Sequence, residues 1–230
     1  MNFGFPIGFV TPAGGVATVL PTFVNVGTGA SATSGNVTPG LPSGSVAGDF
    51  LVALVWGFKG GTFTNTTSPT NWVRQSVLRI DEASFGWNLE VHTSITATVN
   101  PTFATSVWGT ASPKAIVFGF RGVSAHELLT HAEVTASGFD VAYASITTGG
   151  PNRLVANWFL PHVSPPTTVA DTGWTKQADV TFGGSSIALA TTPMVALGTT
   201  PAGNHSWVDD ESGTPNSIHR VSLAMIPTGG

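Results

Sequence analysis

GDFLVALVWGF, residues 48–58, enters a short apolar run from a Gly-Asp turn. PNRLVANWFLP, residues 151–161, enters another from a Pro-Asn turn, and both runs carry Leu-Val-Ala followed by a Trp. Apolar runs this short, bounded by Gly and Pro, read as strands rather than helices. The same pattern continues through the chain, with β-branched and aromatic runs between Gly, Pro, Asn and Ser clusters. It predicts strands at 16–26, 49–58, 71–79, 84–96 and 114–121. In the second half it predicts strands at 141–147, 152–160, 173–180, 185–192, 203–209 and 217–226. Within SFGWNLEVHTSITATV, Phe85, Trp87, Leu89 and Val91 alternate with Gly86, Asn88, Glu90 and His92. Period-two alternation puts the first set on a buried face and the second toward solvent or a partner. SAHELLTHAEV, 124–134, is the one segment read as a short helix.

The two runs belong to a longer correspondence. Leu51-Val52-Ala53 matches Leu154-Val155-Ala156 at an offset of 103, and NWVRQ (71–75) matches GWTKQ (173–177) with Trp72 and Trp174 at 102. Leu89 pairs with Leu189, Trp108 with Trp207, and AIVFGFRGV (115–123) with VSLAMIPTG (221–229). Landmarks in one order with slowly drifting offsets indicate an internal pseudo-repeat, with halves at about 35–123 and 140–228. Each half has too few strands for its own core, and no Pro- or Ser-rich linker separates them. The expected architecture is all-β: one antiparallel two-sheet β-sandwich over 35–230, with interleaved halves burying Trp72 and Trp174 to similar depth. Residues 1–34 form an extended N-terminal arm and a first strand.

Charged residues make up 9% of the chain, against about 25% in an average soluble domain. Free surfaces usually carry mixed charge, whereas the cores of interfaces are depleted of it, so this composition points to a protein packed among neighbours. The net charge of −4 offers no basic footprint for nucleic acid. With no cysteine there is no disulfide or thiolate site. No apolar stretch approaches the roughly 18–20 residues needed to cross a bilayer, and MNFGFPIGFVTPAGG lacks a basic leader. A product of the cytoplasm without an export sequence or membrane span is expected.

TPGLPSGSVAGDFLVALV, then TSPTNWVRQ, then a strand ending in a Thr/Ser-rich turn, then AIVFGFRGV, resembles a recurrent type of tailed-bacteriophage structural protein. The motifs that carry the resemblance are Gly48-Asp49, Pro69 with Trp72, Phe120-Arg121-Gly122-Val123 and Gly173-Trp174. It spans roughly residues 35–228. The resemblance implies a jelly-roll sandwich and a virion component made in the host cytoplasm, either a capsid decoration (cement) subunit or a tail or fibre part that binds host glycan. It implies the major capsid protein or other virion proteins as partners, and a homo-oligomer with a trimer favoured. In their own right, Gly48 permits a tight turn and Asp49 can hold the amides beside it.

No catalytic constellation is expected. His126-Glu127-Leu128-Leu129-Thr130-His131 nearly spells a zinc-protease helix, but its histidines are five apart instead of four and would miss a common helical face. Asp209, Asp210 and Glu211 concentrate acid without calcium-loop spacing. FGGSSIA, 182–188, reads as a hairpin turn and not a nucleophile elbow. No enzyme activity, cofactor or metal is therefore expected. Trp56, Trp72, Trp87, Trp158 and Trp174 fall on strands where core packing claims them, which leaves Trp108 and Trp207 as candidate ligand-binding aromatics. Phe3, Phe5, Ile7 and Phe9 alternate along a Pro-stiffened terminus. They are the candidate assembly interface, inserting into a neighbouring subunit.

Overall fold

The computed structural model describes residues 18–59, 65–82, 85–105, 112–134, 140–161, 167–208 and 218–229. These hold fourteen strands and no helix. One sheet runs β1 (Thr22–Val26), β6 (Lys114–Arg121), β3 (Phe50–Lys59), β5 (Phe85–Ser94), β4 (Val73–Glu82), with the two-residue β2 (Ala30–Ser31) also on β6. A second runs β11 (Thr175–Phe182), β12 (Ser185–Met194), β9 (Arg153–Pro161), β14 (Ile218–Pro227), β7 (Val123–Val134). A small third sheet runs β10 (Thr167–Ala170), β13 (Asn204–Val208), β8 (Asp140–Ala142). All pairings are antiparallel.

With β1, β3, β4, β5 and β6 as counterparts of β7, β9, β11, β12 and β14, the two large sheets have the same strand order. The expected interleaving of the halves is not found. Residues 22–121 build one sheet and residues 123–227 the other, and the single residue Gly122 carries the chain from β6 to β7. Sheet-on-sheet packing sets β1 beside β11 and β4 beside β7. Phe50, at the start of β3, meets His126 near the start of β7, with ring centroids 5.7 Å apart. At the opposite end Trp56 meets Phe182 at 5.4 Å. Equivalent strands therefore run in the same direction, and the halves are related by an approximate two-fold axis along the strands.

The opening run is apolar at every position because each sheet is covered on both sides. Phe50 through Trp56 are all at most 2% exposed. Phe50, Val52, Leu54 and Trp56 face the second sheet, where Leu154, Ala156, Trp158 and Leu160 face them in one shared core. Leu51, Ala53 and Val55 point the other way, under Val37, Trp72 and Phe103 from the chain's own loops. On the outer side of the second sheet, Val155 and Phe159 lie under Val141, Tyr143, Ile146 and Trp174.

The repeat is real in strand order, but its most literal match is out of register. Leu51 points outward and Leu154 inward, so aligning the two Leu-Val-Ala triplets puts equivalent residues on opposite faces. The turns give the structural correspondence. Gly48 and Asn152 both have positive φ (91° and 57°) two residues before the first inward side chains, Phe50 and Leu154, an offset of 104. Asn71 (68°) and Gly173 (91°) precede Trp72 and Trp174, whose amides close turns onto Pro69 O and Asp171 O at 3.0 Å. The two tryptophans are 5% and 6% exposed, the similar depth the repeat predicts. Each is followed by a bulged glutamine, and Gln75 and Gln177 each donate to a threonine on the next strand, Thr93 and Thr191, at 2.8 Å.

Two further expectations are corrected. Residues 124–134 are not a helix but most of β7, paired along its length with β14. Leu128 is the extra residue of a β-bulge, since Leu223 pairs with Leu129 and Ala224 with Glu127. The bulge breaks the alternation, and this is why the segment did not read as a strand. The second correction concerns Asn88, Glu90 and His92, which were expected to face solvent or a partner. All three are 0% exposed, covered by residues of the segment 65–72 and by Phe103.

Candidate functional site

Antiparallel pairing puts the starts of β1, β3 and β4 and the ends of β5 and β6 at one end of the first sheet. The starts of β7, β9 and β11 and the ends of β12 and β14 lie at the same end of the second. Among the described residues the exposed large hydrophobics are Val19, Val46, Val73, Ile95, Val99, Val195 and Leu197. Val19 precedes β1, Val46 precedes β3 and Val73 opens β4. Ile95 and Val99 follow β5, and Val195 and Leu197 follow β12. All seven therefore sit at that end.

Between the two sheets this end opens into a groove of about 510 Å³, lined by Phe50, Trp72, Val73, Ile95, Ala125 and His126 among others. Burial pushes the His126 imidazole below its ordinary range, so the lining is uncharged at neutral pH. A smaller hollow of about 240 Å³ adjoins it through Asn71 and Trp72 and reaches Val99. Val73, Ile95 and Val99 edge these two hollows with exposed apolar side chains.

The polar clusters point inward. Glu90 Oε1 accepts from Thr66 N at 2.9 Å and Asn88 Nδ2 at 3.1 Å, and its Oε2 accepts from Thr66 Oγ1 at 2.5 Å and His92 Nε2 at 3.1 Å. Burial raises the carboxyl pKa, but the hydrogen bonds from His92 and Thr66 outweigh it and hold Glu90 below its usual range. Burial lowers His92 despite that neighbour, so the pair is carboxylate and neutral imidazole. Ser68 Oγ lies 3.2 Å from His92 Nδ1. Ser68, His92 and Glu90 thus have the connectivity of a nucleophile, base and orienting acid. The His92 side chain, however, is 0% exposed and packed on Phe103 at 4.9 Å. A base sealed on both faces cannot pass a proton to a leaving group, so this arrangement fastens the 65–72 segment to the sheet.

Lys114 and Ser185 meet across the shared core, Nζ donating to Oγ at 2.6 Å. Burial lowers the lysine. The contact ties one sheet to the other. Arg121 forms a fork on Asp49, from Nε at 2.9 Å and a terminal nitrogen at 2.8 Å, while Asp49 accepts from Val46 N at 2.8 Å. The Gly-Asp turn and the Phe-Arg-Gly-Val strand end are therefore partners, joining the entry of β3 to the exit of β6.

His126 and His131 both face the first sheet because the Leu128 bulge restores their common side. His126 packs on Phe50, and His131 Nδ1 lies 3.3 Å from Ser76 Oγ. Glu127 turns outward to accept from Gly149 N and Arg153 Nε. No group of three or more His, Cys, Asp or Glu able to hold a metal occurs among the described residues. Residues 182–188 form the expected hairpin, with Gly183 and Gly184 at positive φ between Phe182 and Ser185.

Of the sequence-predicted site residues, Phe3, Phe5, Ile7, Phe9 and Trp108 lie outside the described residues, as do Asp209, Asp210 and Glu211. Trp207 is on β13 opposite Thr168. Trp56 and Trp158 are fully buried. The sequence reading did not single out these exposed side chains, although Val19, Val46 and Val99 each follow a Ser or Thr outside the strands.

Comparison with protein-family models, with curated proteins and with solved structures finds no match.

Proposed function

We propose that this chain is a non-enzymatic structural subunit of a tailed-bacteriophage particle. In this reading it is a capsid decoration or cement subunit, and it assembles through its N-terminal arm and sandwich surfaces on the major capsid protein or other virion proteins. The observation that carries the reading is that, among the described residues, the exposed large hydrophobics lie at one end of a sandwich built from a charge-poor chain. Such a surface is costly for a free monomer and useful in a permanent assembly. The polar clusters of the described residues fit a structural role, since Glu90 and His92 fasten a loop and Lys114 joins the sheets. The motif order supplies the phage part of the reading. The proposal carries over the assembly role and not the jelly-roll winding, because each half of this chain keeps to its own sheet.

The test is localisation. In washed particles of a phage whose genome encodes this chain, mass spectrometry should find it in stoichiometric amount. Labelled antibody in electron microscopy should decorate the head. Label confined to the tail would move the reading to a tail or fibre component, and absence from washed particles would overturn it.

A further inference from the structure

We infer that the groove between the starts of β4 and β7 is the seat for residues 3–9 of a second copy of this chain. This rests on the reading of the chain as an assembling subunit, and it assigns that assembly a donor and an acceptor.

Chemistry matches the two surfaces. Residues 1–48 contain no Asp, Glu, Lys, Arg or His, and Phe3, Phe5, Ile7 and Phe9 alternate in sequence. The groove offers apolar lips in Val73 and Ile95, which are 61% and 47% exposed, over a floor where the buried Phe50 and Trp72 show only their edges. An extended segment puts alternate side chains on one side, so a Phe-x-Phe-x-Ile-x-Phe pattern presents a row of apolar groups to such a cleft. Connectivity brings that segment to the right end of the molecule. Thr18 Oγ1 donates to Gly229 O at 3.4 Å, and Thr22 pairs with Arg121, so the described chain begins at the end where the groove opens.

The donor is a neighbour because of what surrounds the groove. The chain enters β1 at one edge of the sheet, and the groove lies at the other edge, four strand spacings or ~19 Å away. Nine extended residues reach ~30 Å, so reach alone permits a chain's own arm. Seated in its own groove, however, that arm would leave Val46, Val99, Val195 and Leu197 in water on the same end. An arm delivered by a second copy brings that copy's apolar end against them. Two copies whose ends face each other can exchange arms reciprocally about a two-fold axis, each arm in the other's groove, which closes the assembly as a homo-oligomer.

The absence of cysteine makes the test clean. Phe5→Cys and Ile95→Cys are prepared as separate full-length proteins, mixed and oxidised. The expected product is a disulfide-linked pair containing one chain of each variant, identified by intact mass. The double variant should give a linked dimer. A double variant that instead closes a disulfide within one chain would show that the arm occupies its own groove and would overturn the inference. So would a mixture that yields no mixed pair. Val73→Asp, at an exposed position, should lower the oligomer's mass in sedimentation to that of the monomer without moving the unfolding midpoint. An unchanged mass would count against the seat. If the mixed pair forms but the chain is absent from particles, the proposed function fails and the seat stands. If the chain is on particles and no mixed pair forms, the seat fails alone.

Discussion

Asn88, Glu90 and His92 occupy alternate positions on β5 and carry no exposed surface, which places three polar side chains where a sheet usually meets water. Each would be expensive there if unpaired. Thr66, Ser68 and Arg74 supply partners from the covering segment and the neighbouring strand, with Arg74 also donating to Thr66 O at 2.9 Å. The sequence showed this stripe as the polar half of an alternating strand. It could not show the cover, because residues 65–68 are a loop whose position depends on tertiary contacts. A polar stripe of Asn, Glu and His facing a Thr/Ser-rich loop is the signal that was available. Histidine burial has a measurable consequence at His131 and His205, where burial lowers each imidazole to about 4. The unfolded chain takes up these protons near pH 6.5 and the folded chain only near 4. Between those values the unfolded state binds more protons, so stability falls as pH falls. Each histidine adds a slope of about 1.4 kcal/mol per pH unit within that window. His131→Gln should reduce the dependence between pH 6 and 4.5 by close to that amount, read from urea unfolding at stepped pH. An unaltered slope would mean that His131 is already protonated in the folded protein. The Asp49 and Glu90 carboxylates, held low by their partners, add their own loss only below about pH 4.5.

Among the elements, the long strands were legible and the irregular ones were not. β6 occupies the predicted 114–121, and β9, β12 and β14 lie within two residues of prediction at each end. Their apolar runs are long and their turn residues plain. β7 was lost to its bulge, and β2 and β10, of two and four residues, are too short to carry a period. The turns held more than the strands did. Positive φ falls at Gly48, Asn71, Asn152 and Gly173 in equivalent places, so the repeat survives in backbone conformation where the side chains have diverged. Gly122 is the critical case. It has φ of 74° and carries the chain from one sheet to the other, with Thr228 N donating to its carbonyl at 2.8 Å. A Cβ there would meet nothing closer than Leu20 O at 3.8 Å, so the cost of a side chain is backbone strain and not a clash. Gly122→Ala should lose roughly 1–2 kcal/mol of unfolding free energy. Gly122→Asn should lose less and Gly122→Val more, an order set by tolerance of the left-handed region. Chemical denaturation of the three variants checks it, and equal losses would point to packing as the cause.

Taken whole, the molecule explains part of its own scarcity of charge. Both large sheets are covered on their outer faces by the chain's own loops and small sheet, so their strands have few positions at which a Lys or Glu would be solvated. The remaining share falls at the end that carries the exposed valines, where Arg121 is paired with Asp49 and Arg153 with Glu127. The same layering makes the halves dependent on each other. Trp158 of the second sheet sits against Phe118 and Phe120 of the first, at 5.8 and 5.9 Å, inside a cluster to which both halves contribute. A half alone would expose that whole inner face to water, a loss far larger than the few kcal/mol by which domains are stable. Covalently, only the link at Gly122 joins the two sheets. A chain cut between Gly122 and Val123 and produced as two co-expressed pieces should therefore reassemble and co-purify as a folded pair. Each piece produced alone should aggregate or stay unfolded, as read from amide chemical-shift dispersion. A single half with a dispersed spectrum would show that one sheet and its cover suffice, and the sandwich would then be two domains in contact.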